Sequence, residues 1–372
     1  MSSRKSLAYY SYDSLKNPWL SGGGALRDFE VLKRQTEAWK EIVIWTGAYP
    51  GFVAAKREGI QIRPLGFGNS YLVSRLSFTL LANFRLLFES ADVIGNSISA
   101  YAPLLAGLFR RRRFFLVAHH YVGQHSKQKY SLAGSVAWFC EWLLFRFSRH
   151  LIVSNGKVAE RVRSMNPHLR ILQSQNGFDS RLLEEKPLVT DPPFILFLGR
   201  FDIYMKGLDL LIPAFLKLRK ELSKPLKLVI AGAASGKTLT AVQGLIPEHE
   251  NAIELIPNVS EEKKRELLRS CLFFCSPSRF EGWGIAALEA NASGKPVLVS
   301  RADGFLDSIK EGFSGMMVPV EDGAALVEAM RKLCEDVALR EELGSHAREW
   351  ASQFTWNEIA ERERLWLGGI SG

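Results

Sequence analysis

Cysteine is scarce in this chain, four residues in 372. Cys140, Cys271, Cys275 and Cys334 lack zinc-ligand spacing and are too few for a disulfide scaffold, which leaves reduced, buried thiols and argues against redox chemistry. Long apolar runs are also lacking. The stretches near 72–88 and 131–148 carry Arg75, Arg85, Glu141 and Arg146, short of the roughly 20 uninterrupted apolar residues that a membrane-spanning helix needs. The opening MSSRKSLAYYSYD has no apolar core of a secretory leader, so the expected compartment is the cytoplasm. No Walker pattern G-x-x-x-x-G-K-[ST] occurs, and the glycine loop SGGGALRD (21–28) lacks the G-x-G-x-x-G spacing. Both absences speak against a P-loop NTPase and a nicotinamide dehydrogenase. There is no D-x-D triplet to hold a divalent ion on a sugar nucleotide, and no repeat or low-complexity segment.

What is present is a lopsided charge. Residues 1–185 hold 25 Lys and Arg against 13 Asp and Glu, while the remainder hold 23 against 26. The first half therefore meets or lies near something acidic. Strand-like and helix-like runs alternate throughout, the pattern of parallel sheets covered by helices. SLAYYSY leads through the glycine loop to a helix with apolar spacing at Leu26, Phe29 and Leu32, and ADVIGNS precedes a helix over APLLAGLF. RFFLVAHH and HLIVSN are further strands. The segment EEKPLVTDPP (184–193) is rich in proline and charge, and it divides the chain into 1–185 and 190–353. The alternation then restarts at FILFLGR. FTWNEIAERERLWLG closes the chain as an amphipathic helix offering Trp356, Ile359, Leu365 and Trp366 for packing. Two Rossmann-like α/β domains are expected, with ligands beyond the carboxyl ends of the strands.

Four motifs fall at such strand ends. GRFDIYMKG (199–207) follows FILFL and presents Arg200 and Lys206; two fixed cations suit a pyrophosphate, although a solvated loop has the same composition. The glycine loop, including Gly23 and Gly24, opens a helix whose amides can reach an anion. His119 and His120 end RFFLVAHH, as polar site contacts or as structural histidines, with no third ligand at metal spacing. In SRFEGWGIAALEANA, Glu281 lies in a loop after the strand LFFCSPS and Glu289 about two turns away along the next helix. Between the two carboxylates lie the amides of Gly282, Trp283, Gly284 and Ile285, aimed at an anion by the helix dipole. Carboxylates accept hydrogen bonds from paired hydroxyls and amides hold phosphate; a sugar nucleotide asks for both.

In this order, the glycine loop, the strand-end histidine, NGFD (176–179), GRFDIYMKG, IPNVSEEKKREL, the E-x7-E pair and the final helix resemble the retaining glycosyltransferases of family 4. The resemblance covers nearly the whole chain. It implies the GT-B fold, two Rossmann-like domains facing across a cleft, with the C-terminal helix, 354–372, crossing back to the N-terminal domain. It implies that Arg200 and Lys206 bind the donor pyrophosphate, that Glu289 holds the ribose hydroxyls, and that Glu281 contacts the donor sugar. The 282–285 amides would bind sugar hydroxyls and phosphate, and the loop of Asn258 and Val259 would sit against the base. The family histidine corresponds to His119 or His120, with His119 preferred. Trp283 stands where the family often has Phe, and AHHY where a His-Asp pair is commoner.

The implied reaction is transfer from a nucleotide-sugar donor to a hydroxyl of a glycan or lipid-linked acceptor, with retention and without a metal or other cofactor. A GT-B sugar-nucleotide epimerase or hydrolase and a non-catalytic glycan-binding protein are the alternatives. Arg110–Arg113 and the helix over 130–150, with Trp138, Phe139, Trp142, Phe145, Arg146 and Arg149, read either as a basic turn and a core-packed helix or as a peripheral attachment to an anionic membrane face. Nucleic acid is not expected, because no recognition motif accompanies the charge.

Overall fold

The computed structural model of the chain describes residues 4–14, 23–119 and 125–370. Two compact units emerge, one of residues up to Asn176 together with those from Trp356 onward, the other Gly177–Thr355. The division falls ahead of the proline-rich segment at 184–193. Phe178 and Leu182 are both buried in the core of the second unit, so the stretch 177–185 belongs there and not to the first. Apolar burial, which composition cannot see, draws the boundary.

In the first unit eight strands, β1 (Ser6–Ser11), β2 (Glu41–Gly47), β3 (Ala55–Arg57), β4 (Ile60–Leu65), β5 (Val93–Ser97), β6 (Phe114–Ala118), β7 (His150–Val153) and β8 (Arg170–Gln173), form one sheet. Its order is β3-β4-β2-β1-β5-β6-β7-β8, parallel except for the short β3. Side chains alternate across it: Leu7 and Tyr9 enter one core layer, Ala8 and Tyr10 the other. The segment 105–110, expected as part of an α-helix, is a 3₁₀ turn of helix. In the helix Gly23–Lys33, Phe29 and Leu32 are buried, but Leu26 is 46% exposed and Ala25 takes the inward position.

The terminal helix Trp356–Gly368 packs in this unit as expected, through Trp356, Ile359 and Ala360 against Val31. Leu365, by contrast, faces outward. The inward position is held instead by Glu363, which forms a fully buried ion pair with Arg27. Ser174 Oγ donates to the same carboxylate at 2.6 Å. Such a pair is costly to break, since either partner alone is an uncompensated buried charge.

The second unit continues the numbering with β9 (Phe194–Leu198), β10 (Lys227–Gly232), β11 (Ile253–Pro257), β12 (Phe273–Ser276), β13 (Val297–Ser300) and β14 (Gly315–Val318). Their order is β11-β10-β9-β12-β13-β14, all parallel. This is the doubly wound arrangement in which the strand order reverses between the first and fourth strands, here β9 and β12. In that arrangement connections leaving the two strands turn to opposite faces, and ligands bind beyond their carboxyl ends.

Candidate functional site

In the second unit both loops at the reversal point are held by their own residues. After β9, Asp202 caps the short helix Ile203–Lys206, its Oδ1 accepting from the Met205 amide at 2.9 Å. Gly207 ends that turn at φ +67°, where a β-carbon would be strained and would also run into the Pro277 carbonyl. After β12, the Arg279 amide donates to the Met205 carbonyl at 3.0 Å. The Arg279 guanidinium grips Asp209 at 2.8 Å and Glu321 at 2.7 Å. The two loops are thereby fastened together. Between them Lys206 Nζ donates to Glu281 Oε2 at 2.7 Å, with both side chains mostly buried. Arg200 stands exposed at the same edge.

The helix Ile285–Ala292 begins immediately after this loop. Its first-turn amides are those that a helix leaves without intrahelical partners. Glu289, about one turn into the helix, is buried, and Lys264 donates to its Oε1 at 2.9 Å. Burial pushes the Glu289 carboxyl above its ordinary range more than Lys264 pulls it down. Lys264 is itself desolvated, yet the carboxylates of Glu289 and Glu261 outweigh that and raise its pKa. Glu289 sits deeper and also feels Glu261 and Asp179, hence the unequal outcome.

Two expected contacts have further duties. The Trp283 side chain points into the core, edge-on to Phe354 at 5.8 Å between centroids, so only its backbone faces the loop. The Asn258 side chain is occupied at both ends by the backbone of Ala234, at 3.1 Å each way, and it fixes the loop after β10. Val259 packs partly against the core.

In the first unit the strand order turns at β1 and β5, and a second polar cluster lies there. His119 Nε2 is 3.2 Å from Asp28 Oδ2 and 3.2 Å from Ser97 Oγ. A carboxylate can only accept, so Nε2 carries the proton and Nδ1 is the ring nitrogen left for a ligand. Gly24 lies against this ring: a β-carbon there would be 2.7 Å from His119 Cδ2. The glycine loop and the histidine, far apart in sequence, thus meet. Gly23 opens the helix, whereas His120 lies outside the described residues.

Asp13, at the end of β1, has its carboxyl raised to about 6 by burial, against the pull of Arg75 and His119. Asp28 is fully buried, yet His119 and Arg27 hold its carboxyl below the usual range. Tyr9, Ser11, Asp13 and Asp28 line a cavity of about 500 Å³.

Sequence reasoning missed Asp13, Asp28, Lys264 and Arg279. Asp28 and Lys264 lie inside quoted motifs, and Asp13 follows a strand's carboxyl end, which was the available signal. The pairing of Lys264 with a glutamate 25 positions away had none.

A doubly wound sheet takes its ligands beyond the carboxyl ends of the strands at the reversal point, and there this unit carries Arg200, Lys206 and Glu281. Residues 179–350 match the family model of the glycosyl transferases group 1, and the second unit is a domain of that family. The whole-chain fold is GT-B: sucrose-phosphate synthase from Thermosynechococcus elongatus superposes with a TM-score of 0.78 over 98% of both chains at 19% identity. Anabaena HepE, solved in complex with UDP and glucose, gives 0.72 at 17% identity over 98% of this chain and 100% of that one. The phosphatidyl-myo-inositol mannosyltransferase of Mycobacterium leprae is 30% identical over 192 residues, half of each chain. The chain spans about half the length of the curated relatives it matches.

Proposed function

We propose that the chain is a retaining glycosyltransferase of family 4, moving a sugar from a nucleotide-sugar donor to a hydroxyl of a glycan or lipid-linked acceptor without a metal. The observation that carries this reading is the convergence at the β9/β12 reversal of Lys206 on Glu281, exposed Arg200, the start of the helix Ile285–Ala292 and buried Glu289. Negative charge grows on the departing diphosphate in the transition state. Arg200, Lys206 and the 282–285 amides stabilise it there with little reorganisation, because the loops are already fastened. Glu281, neutralised by Lys206, orients the donor sugar and does not attack it. Glu289 accepts from the ribose hydroxyls. His119, held by Asp28, offers Nδ1 to the donor sugar. The acceptor attacks the face that the nucleotide leaves, and its proton passes to a phosphate oxygen. The UDP and glucose seen with Anabaena HepE support a nucleotide-sugar donor.

Attachment of the first unit to the inner membrane face is part of this reading. Along the helix Tyr71–Leu87 and its cap, Leu72, Leu76, Leu80, Phe84 and Phe88 repeat every four residues and are each more than half exposed, beside the half-chain's excess of arginine. No described helix is long and apolar enough to cross a membrane.

The test is thermal stabilisation by UDP-, GDP- and ADP-sugars, followed by NMR of the product. A ligand that binds only the folded chain raises the unfolding temperature with concentration. An α-linked product from an α-linked donor supports the proposal; free sugar or an epimer alone overturns it in favour of a hydrolase or epimerase. Absence of any response to all three donors argues for a glycan-binding protein.

A further inference from the structure

At the amino-terminal edge of the first unit's sheet, opposite the edge bearing His119, lies a concavity of about 730 Å³ whose lining includes Arg111, Arg112, Arg146, Arg149, Arg170 and His168. We propose that this concavity is a second anion site, one that binds a phosphoryl-bearing ligand and is separate from the donor site.

The fold assembles it. The register sets Phe115, His150 and Arg170 side by side at the start of β6, β7 and β8, and the Arg170 amide donates to the Arg149 carbonyl at 2.9 Å. Asn166 donates to the carbonyls of Phe145 and Ser148, at 3.0 Å each, and pins the end of the helix His125–Phe147 there. His150 is buried, its Nδ1 3.3 Å from the Phe114 carbonyl and its ring edge-on to Trp366. The floor is therefore fixed while the arginines stand exposed around it.

Charge decides what the concavity takes. Two helices, His125–Phe147 and Gly156–Met165, end at this edge, and each C-terminus carries about half a negative charge. That offsets roughly one of five guanidinium charges. Among the described residues no carboxylate pairs with Arg111, Arg112, Arg146, Arg149 or Arg170. Arginines that serve only solubility disperse; a concave group without counter-charge repels itself and is relieved by an anion. Guanidinium forks match phosphate oxygens in pairs, and the net charge fits a diphosphate or phosphomonoester better than a single carboxylate. A lipid headgroup and a soluble phosphate compound share this chemistry.

Calorimetric titration of the full chain with inorganic pyrophosphate tests the site. Because the donor site also accepts pyrophosphate under the function proposed above, the measurement is repeated on Arg200→Ala/Lys206→Ala. One binding event should persist in that variant and should weaken at least tenfold when Arg149→Gln and Arg170→Gln are added. Arg149→Lys/Arg170→Lys, which keeps charge but loses the fork, should recover only part of the affinity. Should the glutamine pair misfold by circular dichroism, Arg112→Gln alone serves. An isotherm unchanged by the glutamine substitutions overturns the proposal, whatever happens at the donor site. Sedimentation with phosphatidic acid–phosphatidylcholine vesicles then separates the sources. Binding that pyrophosphate displaces identifies a headgroup, whereas pyrophosphate binding without vesicle binding identifies a soluble phosphate.

Discussion

Gly24 and the imidazole of His119 are packed so closely that even a methyl group cannot be placed between them; a β-carbon would lie 2.7 Å from Cδ2 and 3.0 Å from Nε2. Gly24→Ala must therefore rotate the ring away from Asp28. We expect a fall in kcat of about tenfold or more with the fold intact, by a coupled effect. In a His119→Ala background the same glycine substitution should cost little, and the cycle should give an interaction of about 0.5–3 kcal/mol. Additive losses would show that Gly24 acts elsewhere.

Lys206→Ala removes the cation that neutralises Glu281. Turnover at saturating donor should fall about 10²-fold or more, the scale for one preorganised charge-stabilising group. Unchanged turnover would sink the pyrophosphate role.

Glu289→Gln should weaken nucleotide binding, because a charged acceptor for hydroxyls becomes a neutral amide. Stability should not fall in parallel. The native carboxyl pKa is raised by burial, so ionising Glu289 subtracts from stability as pH climbs above the ordinary carboxylate range, and glutamine removes that cost. Lys264 keeps Glu261 at 2.8 Å. Equal nucleotide affinity in variant and wild type would show that Glu289 touches no ribose.

Asp13 gives a pH signature. Its carboxyl moves from an ordinary 3.8 to about 6 in the native chain, so the native state holds the proton more tightly. Wild-type stability should decline as pH rises between those values and level off above. Asp13→Asn should abolish the decline and gain at most about 3 kcal/mol at pH 7 relative to pH 3.5. Denaturant midpoints across pH measure it; parallel profiles would mean that Asp13 titrates normally.

The second unit was the more legible half. Its strands are short apolar runs ending in loops whose residues act near their own position in sequence: Arg200, Lys206, Glu281 and Glu289 all fall at the edge where a parallel sheet places its ligands. The first unit was harder because its polar cluster comes from four places, Asp13, the glycine helix, Ser97 and His119, joined only by the sheet order. Amphipathic patterning misled where charge replaced apolar packing. Glu363 is buried and Leu365 is not, because the face that buries Trp356, Ile359, Ala360 and Leu367 passes through position 363, where the inward residue is a carboxylate paired with Arg27.

That pairing has a bearing on biogenesis. Arg27 is made before the second unit, while its partner Glu363 follows that entire unit. Through most of synthesis the first unit has a cation that it cannot bury, and the surface around Val31 waits uncovered for Trp356 and Ile359. The amino-terminal half therefore cannot complete its packing until residues 356–363 have been made, and a chain halted before residue 356 exposes an open apolar seam however well its second unit has folded.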